Sequence, residues 1–195
     1  MIDKLNNATQ FTEIMMERFV SPGEVCVDAT AGNGYDTSKL AHLVGEDGFV
    51  YAFDIQGEAI QRAGELLKVR SLLERVKLIQ DSHAHLDKHI SGNIDFIIYN
   101  LGYLPGGDKA VRTNSDVTIS SIGKALAIMN PGAVMLVTSY RGHEGGLAEY
   151  IAVKEYFEAL PQEQYNVFEF SFINQKNNPP ITIGLEVRGG RTWQR

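Results

Sequence analysis

Three carboxylates and one carboxamide close apolar runs of this chain: Asp28 in "EVCVD", Asp54 in "YAFD", Asp81 in "KLIQD" and Asn100 in "FIIYN". After the first of them comes "DATAGNGYDT", Asp28 to Thr37. Its Gly32 and Gly34 permit a tight turn and close backbone approach to a ligand before a helix begins. A dinucleotide fingerprint asks for a further Gly or Ala three residues beyond the second glycine, and Thr37 stands there instead. Asp28 and Asp36 also put negative charge where a pyrophosphate would have to sit.

A ligand with positive charge suits these acids better. S-adenosylmethionine carries a sulfonium and an ammonium, and the glycine backbone can take its carboxylate and ribose. Asp54, 20 residues beyond Gly34, is placed to accept both ribose hydroxyls. Asp81 could accept from the adenine amino group, with His83 beside it as a lining residue of the same pocket.

Asn100 opens "YNLGYLPGGDK". Its side-chain carbonyl can accept a hydrogen bond from an amine and turn the nitrogen lone pair toward a methyl donor. Tyr103 offers a ring on which a base can stack, Pro105, Gly106 and Gly107 form a turn, and Lys109 and Arg112 could meet phosphate. The plainer reading is a loop whose Gly and Pro only satisfy turn geometry. The G-K-[ST] element of a phosphate-binding loop is absent after Gly107. An aliphatic ammonium must lose a proton before it can attack, and the candidate acceptors are Asp108, Tyr140 and His143. The net charge of -6 excludes bulk electrostatic attraction to nucleic acid, so Arg141 and Lys176 are the candidates for a local positive surface.

"HAHLDKH" comes close to a metal-binding H-x-H-x-D-H pattern through His83, His85, Asp87 and His89, but Lys88 breaks the register. His143 is the one later histidine, too few for a ligand set, so no metal is expected. The stretch reads as a short helix capped by Ser82, with His85 and His89 on one face.

The elements that must position these groups are legible as short Val, Ile and Phe-rich runs alternating with helical patterns, an α/β arrangement with a parallel sheet. A first helix is expected over 5–20. Strands are expected near "EVCVDAT", "GFVYAFDI", "RVKLIQD", "IDFIIYNL" and "GAVMLVTSY", with a helix at "LAEYIAVKEYFEAL". "YNVFEFSFIN" and "ITIGLEVRG" leave no room for a crossover helix in "QKNNPP" and should pair as an antiparallel hairpin. Residues 1–195 are expected to form a single domain. No run is long enough to span a bilayer and no signal peptide is evident, so a cytoplasmic, soluble protein is expected. Cys26, the single cysteine, sits within an apolar run and reads as a core residue.

"DATAGNGYDT", "FDIQ", "DSHAHL" and "YNLGYLPGGDK", in that order, resemble the small bacterial class I methyltransferases of the rRNA methylase family, and the resemblance covers nearly the whole chain. It implies a Rossmann-like fold, a seven-stranded mostly parallel sheet with a C-terminal antiparallel hairpin and flanking helices, and S-adenosylmethionine as cofactor. It implies cofactor contacts from Asp28, Ala31, Asn33, Asp54, Gln56, Asp81 and His83, and Gly32, Gly34, Asp36, Thr37, Ser82 and Asn100 are expected to bind the cofactor with them.

More narrowly, the chain resembles tRNA methyltransferases that convert 5-aminomethyl-2-thiouridine at the wobble position to 5-methylaminomethyl-2-thiouridine. That implies a tRNA anticodon stem-loop as substrate, met by Asn100, Tyr103 and the glycine loop, and a homodimer. An rRNA or small-molecule amine acceptor and a non-catalytic cofactor-binding module stand as alternatives. A nicotinamide oxidoreductase is disfavoured by Thr37 and the acidic strand ends.

Overall fold

The structure, a computed structural model, describes residues 5–102, 113–142 and 145–189. Seven strands form one sheet in the order β3-β2-β1-β4-β5-β7-β6. They are β1 (Val25–Asp28), β2 (Phe49–Asp54), β3 (Val76–Gln80), β4 (Ile94–Leu101), β5 (Met129–Ser139), β6 (Tyr165–Phe170) and β7 (Ile181–Val187). The first five are parallel. β7 runs antiparallel to β5, and β6 pairs antiparallel with β7 at the sheet edge. The fold class and the terminal hairpin are those expected.

The central strands read as unbroken apolar runs because both faces of the sheet are covered. On one face α1 (Ala8–Phe19), α2 (Tyr35–Leu43) and α3 (Gly57–Val69) bury Met16, Leu40 and Leu67 against Phe96, Ile98 and Leu136. On the other, α4 (Leu86–His89), α5 (Ser115–Leu126) and α6 (Gly146–Glu158) bury Leu86, Ile122 and Phe157 against Ile97, Tyr99 and Met135. Each such side chain contributes about 1.5–3 kcal/mol through removal from water. α1 begins later than its apolar pattern suggests because Asn7 caps it, accepting from the Gln10 backbone N–H.

β5 begins at Met129, three residues before the run "GAVMLVTSY". Pro131 and Gly132 conceal its start from sequence: Ile94 pairs with Met129, the register then shifts, and Phe96 pairs with Val134. A proline, which cannot donate to a ladder, is tolerated at such an irregularity.

Strand order reverses between β1 and β4, each followed by a helix on its own face, and the carboxyl ends of the parallel strands meet there. In open α/β sheets this is where ligands bind.

Candidate functional site

The strand register decides which acids reach the surface. Asp28 is level with Ala52 of β2 and Ile98 of β4. Asp54 and Asn100 therefore stand two residues higher on their strands, flanking a chain that has already turned at Ala29. Asp28 is left beneath the turn, fully buried, with Thr37 Oγ1 donating to it at 2.6 Å and the Thr30 N–H at 3.1 Å. Thr37, the residue that breaks the dinucleotide fingerprint, serves to hold Asp28. Burial and the nearby Asp36 carboxylate push the Asp28 pKa up from 3.8 to about 7. Gly34 caps α2 at φ 81°, where a Cβ would lie 2.7 Å from Ala63 Cα. Asp28, Gly34 and Thr37 are thus supports of the turn and do not line the space above it, contrary to a reading in which every acidic strand end faces the ligand.

Above the turn opens a cavity of about 1140 Å³. Of the residues singled out from sequence, Ala31, Gly32, Asn33, Asp36, Asp54 and Gln56 line it, as do Asp81, Ser82, His83, Asn100, Tyr140 and Arg141. Lys176 lies exposed on the connection between β6 and β7 and does not line it. Tyr103, Pro105, Gly106, Gly107, Asp108, Lys109, Arg112 and His143 lie outside the described residues.

On the β2 and β3 side, Asp54 accepts from the Gly32 N–H and from the Gln56 N–H, each at 2.9 Å. Two carboxylate oxygens offer about four lone-pair sites, so acceptor capacity remains. Ile55 follows with an exposed apolar side chain on the cavity wall. Asp81 is already engaged: His85 Nδ1 lies 2.9 Å from one oxygen and His89 Nε2 2.8 Å from the other. These contacts, His89 first, hold its carboxyl well below the usual range. The free acceptor expected at Asp81 is therefore a clasped one, which leaves fewer lone pairs for a ligand. Ser82 caps the short helix as expected, accepting from the Ala84 N–H at 3.2 Å.

His83 is 7% exposed on the cavity wall, its ring edge-on to Tyr99, and its Nδ1 has no hydrogen-bond partner. Burial lowers its pKa from 6.5 to about 4, so the imidazole is neutral at pH 7.

On the β4 and β5 side, the Asn100 backbone N–H donates to Thr30 Oγ1 at 2.7 Å and its side-chain Nδ2 donates to Asp36 Oδ2 at 2.8 Å. A carboxylate can only accept, so this bond fixes which end of the amide is nitrogen and leaves Oδ1 as the acceptor end. Tyr140 is hydrogen-bonded to the Thr9 hydroxyl, and burial raises its pKa above 10, which keeps the phenol protonated. Arg141 donates to the Pro179 carbonyl at 3.0 Å and lies 5.5 Å from the Tyr150 ring centre.

Sequence reasoning missed several wall residues: Thr9 at the start of α1, Tyr35, Ile55, Val117, Asn178 and Pro180. Ile55 carried a signal, an apolar residue directly after an acidic strand end and before a helix. Thr9 carried none, because only tertiary packing brings α1 over the carboxyl end, where Gln175 donates to the Asn6 carbonyl at 2.8 Å and Phe11 stacks on Phe170 at 3.9 Å.

A doubly wound sheet of this order with its antiparallel hairpin, and a cavity over the glycine turn between β1 and β4, define a class I S-adenosylmethionine-dependent methyltransferase fold. The family model described as "Putative rRNA methylase" matches residues 50–186. The chain belongs to that rRNA methylase family. A tRNA (mnm(5)s(2)U34)-methyltransferase, chloroplastic, from Arabidopsis thaliana is 34% identical over 186 residues, covering 90% of this chain and 68% of its own length.

Among solved structures, an rRNA methylase of Clostridium thermocellum superposes with a TM-score of 0.91 at 38% identity, covering 94% of this chain and 98% of its own. A methyltransferase of Streptococcus mutans in complex with S-adenosylhomocysteine superposes with a TM-score of 0.85 at 30% identity, covering 94% and 99%. Among the described residues no helix is long and apolar enough to cross a membrane, and no group of three or more His, Cys, Asp or Glu could hold a metal ion.

Proposed function

We propose that this chain is an N-methyltransferase that binds S-adenosylmethionine and methylates the aminomethyl group of 5-aminomethyl-2-thiouridine at the tRNA wobble position, yielding 5-methylaminomethyl-2-thiouridine. The observation that carries the chemistry is the Asn100 amide, whose Nδ2 is committed to Asp36 and whose Oδ1 is left to accept from an amine. The substrate assignment is supported by the 34% identity to the Arabidopsis thaliana enzyme of that name.

The residues present fit the cofactor. Asp54 retains lone pairs for the ribose hydroxyls and Ile55 offers an apolar surface for adenine, with His83 in the wall of the same cavity. Gly32, Asn33 and Gln56 would complete that side. When bound, the cofactor supplies an electrophilic methyl on a sulfonium.

The chain's own part is placement. Asn100 Oδ1 accepts an N–H of the substrate amine and so directs its lone pair along the line of transfer, which lowers the barrier by orientation rather than by a covalent intermediate. No nucleophile is required, in keeping with Cys26, whose thiol is buried and pushed well above its usual pKa. Arg141, which lines the cavity, would engage the anticodon stem-loop together with Lys176, Tyr103, Lys109 and Arg112, phosphate contacts fixing position and base contacts fixing identity. The name of the family model favours a second acceptor, rRNA.

The test is mass spectrometry of tRNA nucleosides from a strain lacking the gene. Loss of 5-methylaminomethyl-2-thiouridine with accumulation of the aminomethyl precursor is expected. Unchanged tRNA nucleosides together with a missing rRNA methyl group would favour rRNA.

A further inference from the structure

We propose that Asp36 is the catalytic proton acceptor for the substrate amine, a role that rests on the N-methyltransferase reading above. Asp36 sits in the first turn of α2, and its Oδ2 is 2.8 Å from Asn100 Nδ2 at the end of β4. The amide and the carboxylate form one continuous polar wall of the cavity. An ammonium whose N–H is accepted by Asn100 Oδ1 has the Asp36 carboxylate as its neighbouring acceptor.

Asp108 and His143 lie outside the described residues; among the described residues, the other titratable groups around the cavity are disqualified by their surroundings. Asp28 is fully buried beneath the turn. Asp54 and Asp81 stand on the far side of β1, over β2 and β3, and Asp81 is clasped by two histidines that make it a weak base. Tyr140 is held as a phenol, with no acceptor strength until it ionises. His83 packs its ring edge-on to Tyr99 of β4 with Nδ1 buried, and burial keeps it a weak base.

Asp36 is tuned in the opposite sense. Its pKa is raised by partial burial, the Asn100 bond opposes this, and Glu13 on α1 adds to it. Asp28 on β1 and Tyr140 after β5 are the other titratable groups that feel its charge. A carboxylate so placed is a better proton acceptor than one in water and attracts a cationic amine.

In the step proposed, the ammonium gives one proton to Asp36 and regains its lone pair. That pair forms the N–C bond as the C–S bond breaks, its electrons remaining on sulfur. The product leaves as a secondary ammonium, and Asp36 returns its proton to water through the open mouth of the cavity.

Asp36→Asn tests this, because an asparagine oxygen can still accept from Asn100 Nδ2 while the charge and the basicity are gone. Transfer to tRNA bearing the aminomethyl group is expected to fall about 100-fold or more near neutral pH, the usual scale of general-base loss. Affinity for S-adenosylhomocysteine, measured by calorimetry, should change less than about tenfold. The deficit should narrow by about tenfold per pH unit toward the pKa of the free amine, as solution deprotonation replaces the lost base.

A deficit of equal size at every pH would make Asp36 only a positioning residue for Asn100, and loss of S-adenosylhomocysteine binding would make it a cofactor ligand. Either result overturns the proposal while leaving the reaction intact. Wild-type protein that leaves aminomethyl tRNA unmethylated would instead overturn the reading on which it rests.

Discussion

Asp28→Asn should stabilise the protein, and increasingly so as the pH rises. The folded-state pKa of Asp28 is raised from 3.8 to about 7, chiefly by burial. A group raised in this way costs nothing below its unfolded value, and stability is lost as pH rises through the folded value. At 1.36 kcal/mol per unit, the penalty grows to about 2 kcal/mol near pH 5 and about 4 kcal/mol near pH 8. Asparagine keeps one acceptor for the Thr30 N–H, and the Thr37 hydroxyl can turn to accept from the new amide, so little is lost in exchange. Urea unfolding of both proteins at these two pH values is the assay. The variant should gain about 2–3 kcal/mol over wild type between them. His83, lowered to about 4, changes stability in the other direction, being lost as pH falls, and cancels in the comparison. A difference that does not move with pH would refute a buried, largely neutral Asp28.

Other expectations follow from the same geometry. Gly34→Ala places a methyl 2.7 Å from Ala63 Cα at a φ of 81°, and should cost about 2–4 kcal/mol in urea unfolding; an unchanged midpoint would contradict the close contact of turn and α3. Asp54→Ala removes the acceptor proposed for two ribose hydroxyls and the anchor of the Gly32 N–H. It should weaken S-adenosylhomocysteine binding about 100-fold by calorimetry, and a change under about threefold would remove Asp54 from the cofactor site. Asn100→Ala should abolish methyl transfer while leaving that affinity in place, whereas an active variant would separate the end of β4 from the chemistry.

What the sequence could disclose divides along physical lines. Run length sufficed for the central strands, which are unbroken apolar runs because both their faces are covered, and the hairpin followed from a connection between β6 and β7 too short for a crossover. The acids and Asn100 were recognisable as strand ends, but not their relative heights. That Asp28 lies under the turn while Asp54 and Asn100 stand above it follows from a two-residue difference in register, which no local pattern encodes. The pairing of His85 with Asp81 has helical spacing, yet the contact from His89 depends on the tight turn over Ser82 to His85 that precedes α4. Asn100 and Asp36, 64 residues apart, meet only because β1 and β4 are neighbours in the sheet.

The most direct test of the account is methyl transfer by the purified protein from labelled S-adenosylmethionine to tRNA bearing 5-aminomethyl-2-thiouridine, with the products digested to nucleosides and weighed. Label in 5-methylaminomethyl-2-thiouridine alone, and none on tRNA lacking the aminomethyl group, is the expected result. Label on rRNA, or on tRNA without that amine, would contradict it.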